Sequence, residues 1–190
     1  GVHFGAAKCF HKLNDYEQAF GYGQRSKELG PDKAEPDILL GKMYDSRGDH
    51  TSAIDSYRRA LEIKGNDPDV MVPLAVSYIK KKRFEAAEEL LEKAIEIDSS
   101  NSMAYQYLGF VQLQIHPDEL DTALASYNKA LEIDSQDWMA HKGRGVVFML
   151  KFIKSKDQAD KNEAIKEWKE SLDIKPDQPE LKTLLRKYSG

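Results

Sequence analysis

Residues 39–63 read LLGKMYDSRGDHTSAIDSYRRALEI, two helical phrases on either side of a turn. The first phrase pairs a small residue with an aromatic three positions on, Gly41 with Tyr44. The second places Ala53, Ile54, Tyr57, Ala60 and Leu61 at the 3.6-residue spacing of one buried helix face. Between them, Arg47-Gly48-Asp49 is a turn signal. The segment therefore predicts a helical hairpin whose faces meet through small residues.

The same phrases recur along the 190-residue chain. Ala53-Ile54 with Tyr57 and Ala60 is matched by Ala123-Leu124 with Tyr127 and Ala130, and by Ala164-Ile165 with Trp168 and Ser171. Ala87 with Leu91 and Ala94 is a fourth copy, with Glu88 in place of the hydrophobic neighbour. Ala19-Phe20 with Gly23 and Ser26 is a weaker fifth. Four copies close alike, at Leu61-Glu62-Ile63, Ile95-Glu96-Ile97, Leu131-Glu132-Ile133 and Leu172-Asp173-Ile174. Upstream phrases lie at Ala7/Phe10, Gly41/Tyr44, Ala75/Tyr78, Gly109/Gln112 and Gly145/Phe148. The anchor alanines Ala19, Ala53, Ala87, Ala123 and Ala164 are 34, 34, 36 and 41 residues apart. A period of this length marks an array in which one hairpin cannot bury its apolar face alone.

Leu40-Gly41-x-x-Tyr44 followed by Ala53-x-x-x-Tyr57 resembles the tetratricopeptide repeat (TPR), and Leu108-Gly109 matches the first half of that pattern. The resemblance covers nearly the whole chain. It implies an all-α, right-handed α-solenoid of about five TPR helix hairpins plus a C-terminal capping helix. The expected organisation is one array over 1–190, with copies at 1–33, 34–67, 68–101, 102–137 and 138–178 and a cap at 179–188 carrying Leu181, Leu184 and Leu185. Copy one begins within its helix A, which reads as a fragment of a longer array with an open end.

Local departures carry their own expectations. Asn66-Asp67-Pro68 separates copies two and three. Pro36 fits the start of a helix A, Pro73 lies about five residues into one, and Pro117 is expected in the first turn of a helix B. Copy four has two extra residues around His116 to Leu120. Copy five has seven within Lys151 to Asn162, expected to lengthen helix A and leave a loose turn. The single cysteine, Cys9, excludes an intramolecular disulfide and is expected as a small buried apolar residue.

In the family that the repeat resembles, helix A lines the concave wall. The corresponding positions are Val72, Val76 and Ile79 in copy three, with Met103, Gln106, Phe110 and Leu113 in copy four. Copy five contributes Lys142, Val146 and Met149. Copy two is mostly polar there, with Glu35, Ile38, Lys42 and Asp45. Two readings stand open: packing among helices, or a hydrophobic groove taking an amphipathic helix or extended apolar peptide, with Gln106 and Lys142 orienting it. A five-residue Lys/Asn/Asn/Lys/Arg clamp for chaperone tails is not matched. The slots read Ile38, Lys42, Pro73, Met103 and Tyr107, or Val72, Val76, Tyr107, Met139 and Gly143, and supply too few donors for a carboxylate.

Other chemistry finds little footing. Net charge is −4, so no concentrated basic face for nucleic acid is expected. Lys80-Lys81-Lys82-Arg83 sits in a turn and is followed by Glu85, Glu88, Glu89 and Glu92, which blunt its field. His3, His11, His50, His116 and His141 are scattered without metal-ligand spacing, and no phosphate-binding glycine loop occurs. Neither a catalytic residue, a metal nor a cofactor is therefore expected, and the stretch Met103 to Ile115 is too short to enter a bilayer as a span. The expected function is a protein-interaction scaffold. The alternatives are a self-assembling oligomer and the regulatory domain of a larger protein, in a compartment left open with the cytoplasm favoured.

Overall fold

The structure, a computed structural model, describes residues 1–13 and 15–188. Eleven α-helices and no strand are present among these residues. The chain divides into two compact units, residues 1–97 and 98–190.

The first unit holds α1 (Val2–Lys12), α2 (Tyr16–Leu29), α3 (Ala34–Ser46), α4 (His50–Lys64), α5 (Pro68–Lys80) and α6 (Phe84–Ile97). Consecutive helices pair as hairpins, and each helix A also touches the next helix A in the unit, α1 with α3 and α3 with α5. Turn chemistry sets the boundaries. Gly48 and Gly65 take positive φ, at 78° and 76°, and Asp15, Asp49 and Asp67 cap the helices that follow through backbone N–H groups. Pro68 occupies the first turn of α5, where no N–H is needed, while Pro73 lies inside that helix.

The second unit holds α7 (Ser102–Ile115), α8 (Leu120–Ile133), α9 (Trp138–Ser155), α10 (Gln158–Ile174) and α11 (Pro179–Tyr188). Its core is Leu120, Ala123, Tyr127, Ala130, Leu131, Ala140 and Val147, followed by Met149, Ala164, Trp168 and Leu181. Leu181 is fully buried, so α11 covers the last hairpin as the leucine spacing predicts. Gln178 fastens its start, donating to the Ser171 and Lys175 carbonyls at 2.9 Å each.

The small-residue positions work by admitting rings. A Cβ on Gly41 would lie 2.6 Å from Tyr57 Cε1, and one on Gly145 would overlap the Trp168 indole. In copy three the corresponding positions hold Ala75 and Leu91, both fully buried. Trading the ring for leucine leaves room for one methyl group.

Three expectations are corrected. Cys9 is exposed, because α1 turns Ala7 inward and a residue two places on points about 200° away. Pro117 precedes α8 and is not in its first turn. Glu119 N–H donates to the His116 carbonyl at 3.0 Å, a turn with proline in its second position. The seven-residue insertion forms no loose turn. It lengthens both helices, to 18 residues in α9 and 17 in α10, joined by two residues. Lys156 closes α9 at φ 64°, and Asp157 caps α10 through the Ala159 N–H.

Candidate functional site

The accessible helix-A surface of the second unit begins on α7. The buried residues Ala104, Leu108, Val111 and Gln112, at helical spacing, face inward. Helical geometry then presents Met103, Tyr107, Phe110 and Gln114 along one stripe outward. Met103 is 52% and Phe110 38% exposed, two large apolar side chains seven residues apart on one helix face. Helix α9 touches α7 directly. It adds Met139, Lys142, Gly143 and Val146, all half-buried.

The expected groove residues divide into three classes by burial. Val72, Gln106 and Met149 are buried and serve the packing, at 3%, 6% and 5% exposure. Leu113 and Val146 are half-buried against the apolar clusters of their own unit. Lys142 is also half-buried, and only Met103 and Phe110 are plainly exposed. In the first unit Val76 and Ile79 on α5 are half-buried. Sequence reading missed Tyr107 and Gln114. The signal lay in the buried phase of α7, since Gly109, Val111 and Gln112 rotate the outer stripe one residue past Gln106 and Leu113.

Tyr107 and Tyr127 have phenol pKa values raised first by burial and then by the nearby Asp137 carboxylate, so both remain neutral donors. Asp137 is itself raised by burial, although it accepts from the Met139 and Ala140 N–H groups at 2.9 and 3.1 Å. Beside it, Glu167 of α10 is almost fully buried. It lies 2.8 Å from His141 Nδ1 and accepts from Arg144 Nη2 at 2.6 Å. His141 Nε2 is 3.2 Å from the Ser135 carbonyl. These contacts lock α9 to α10 and to the loop before it.

The first unit has two comparable polar centres. Buried Asp37 lies 2.7 Å from Lys27 Nζ and 3.3 Å from Arg59 Nε. Asp45 is 2.8 Å from His50 Nδ1 and accepts from Ser77 Oγ at 2.8 Å. Burial first, then the Asp45 carboxylate, raises the Tyr57 phenol pKa. Among the described residues no group of three or more His, Cys, Asp or Glu is placed to hold a metal ion, and no helix is long and apolar enough to cross a membrane.

A family profile described as tetratricopeptide repeat matches residues 46–109. The crystal structure of MamA protein superposes at a TM-score of 0.75 with 21% identity, over 92% of this chain and 91% of that one. Residues 46–109 are tetratricopeptide repeat, and the chain has the fold of that family. YrrB, a TPR protein with an unusual peptide-binding site, superposes at 0.73 with 21% identity, over 97% and 90% of the two chains. The BBSome complex member BBS4 of Bos taurus is 30% identical over 90 residues, which are 47% of this chain. The match spans only 17% of that relative's length.

Within this repeat fold the two units present unlike helix-A faces. Helices α3 and α5 expose Glu35, Lys42, Asp69 and Lys80, charges of both signs. Helix α7 carries no charged residue, and α9 carries no carboxylate.

Proposed function

We propose that this protein is an interaction scaffold and that the helix-A face of residues 98–190 docks an apolar segment of a partner protein. The exposed pair Met103 and Phe110 carries the reading, framed by Tyr107, Gln114, Lys142 and Val146. A surface that keeps large apolar groups in water, on helices otherwise well packed, gains by covering them. The half-buried residues Val76 and Ile79 of α5 offer a smaller apolar strip in the first unit. YrrB, a TPR protein with an unusual peptide-binding site, has the same fold, which supports the reading. The chemistry is binding and not catalysis, and the exposed thiol of Cys9 suits a reducing, cytoplasmic setting.

Site-specific photocrosslinking tests the reading. A benzophenone amino acid is placed at 103, at 110, or at exposed position 169 on α10, in cells or native lysate. Crosslinks to one shared protein from 103 and 110, and none from 169, are expected. Equal crosslinking at 169 would move the site off this face.

A second reading is self-association. In the first unit Leu29 and Ile63, 61% and 36% exposed, line one cavity of about 620 Å³ with Val2 and Phe4. Sedimentation showing a monomer at all concentrations would remove it.

A further inference from the structure

We infer that the segment docking on residues 98–190 is acidic as well as apolar, with a carboxylate of the partner pairing with Lys142. The inference rests on the docking reading above and adds the charge of the ligand.

Three observations converge. Helix α7, from Ser102 to Ile115, has no charged side chain at all. Helix α9, from Trp138 to Ser155, has Lys142, Arg144, Lys151 and Lys154 and no Asp or Glu. Of these four cations three are neutralised within the unit: Arg144 by Glu167 at 2.6 Å, Lys151 by Asp121 at 2.6 Å and Lys154 by Asp118 at 2.7 Å. Lys142 makes no ion pair among the described residues, although it is half-buried.

The surroundings reinforce the asymmetry. Asp137, the carboxylate nearest to Lys142 along the chain, is committed to the Met139 and Ala140 N–H groups as the cap of α9. Glu132 is drawn to Lys129 at 2.9 Å. Lys142, one turn before Val146 on α9, is thus left as an uncompensated ammonium on a helix that packs against α7, the helix that carries Met103 and Phe110. A cation partly withdrawn from water gains most from an anion that arrives with the apolar group covering it, because both are then screened less. A basic or neutral segment would leave that ammonium more deeply buried and unpaired.

The test pans a random-peptide display library on the intact protein. Recovered peptides are remeasured by fluorescence anisotropy on the unaltered protein and on the Lys142→Met and Phe110→Glu variants, each checked for an unchanged circular dichroism spectrum. The expected result is enrichment of Asp or Glu next to Leu, Ile or Phe. Affinity should fall about three- to tenfold in Lys142→Met, the range for a partly screened interfacial ion pair, and the loss should shrink in high salt. Replacing the peptide's acids by their amides should reproduce that loss on the unaltered protein and have no effect on Lys142→Met. Binders that Phe110→Glu abolishes but that carry no acid enrichment, or ignore Lys142→Met, would overturn the acidic inference and leave the docking face standing. Binders indifferent to Phe110→Glu, or no binders at all, would overturn the docking face itself.

Discussion

Tyr127 on α8 fills the space that a side chain at Gly143 on α9 would need: a Cβ there would overlap the phenol ring. The same ring also packs on Gly109 of α7, where a Cβ would lie 3.1 Å from it. One aromatic therefore closes its own hairpin and sets the approach of the next.

Gly143→Ala should destabilise the protein by about 1–3 kcal/mol, the usual cost of overpacking a filled site, less whatever alanine adds in helix propensity. Gly21→Ala on α2, where nothing lies within 4 Å of the added methyl, should instead stabilise by up to about 1 kcal/mol. Urea unfolding of both variants checks the contrast. Equal effects would mean that Tyr127 yields freely.

Backbone conformation supplies a second pair. Gly65 sits at φ 76°, ψ −156°, a region closed to side chains, so Gly65→Ala should cost about 1–3 kcal/mol. Lys82 holds φ 56° without being glycine, and Lys82→Gly should raise stability by roughly 0.5–1 kcal/mol. Thermal melts read both signs.

Glu167 carries a structural prediction. Glu167→Ala leaves Arg144 and His141 facing a void without their carboxylate and should cost about 3 kcal/mol, as breaking a buried pair does. An apolar replacement at both Glu167 and Arg144 should recover much of that loss. A double-mutant cycle by chemical denaturation measures the coupling.

Two caps should titrate with opposite signs. Asp67 has its pKa lowered below 3.8, first by Lys64, so its contribution is present above the unfolded value and lost as pH falls through the folded one. Asp67→Asn should flatten the acid limb of stability against pH. Asp137 is raised above 3.8 by burial, so it favours the folded state at low pH and loses that advantage as pH rises through its folded value. Asp137→Asn keeps a capping oxygen and removes the buried charge, so its relative stability should improve towards neutrality.

Repeat length, hairpin order and the inward face of each helix B were legible because they depend on side chains three and four residues apart, a relation internal to one helix. Gly41 with Tyr57 and Gly145 with Trp168 could be anticipated in the same way, since a ring on one helix needs a small residue on its partner. Helix A was read less well. Gln106 and Leu113 share a helix face with Met103 and Phe110 in sequence, but α7 is pressed by α8 on one side and α9 on the other. That pressure takes Gln106 inward, where it is 6% exposed, and leaves the outer stripe to Tyr107 and Gln114.

What the sequence alone determined was a chain of helical hairpins, because helix period and turn chemistry are local properties of consecutive residues. Tertiary structure alone decided which lysine stays unpaired and which glutamate is buried. Arg144, Lys151 and Lys154 meet carboxylates 23, 30 and 36 residues away. Only the packing of α9 against its hairpin partner α10 and against the preceding hairpin brings charges so distant in the chain within reach of each other, and only that packing leaves Lys142 without one.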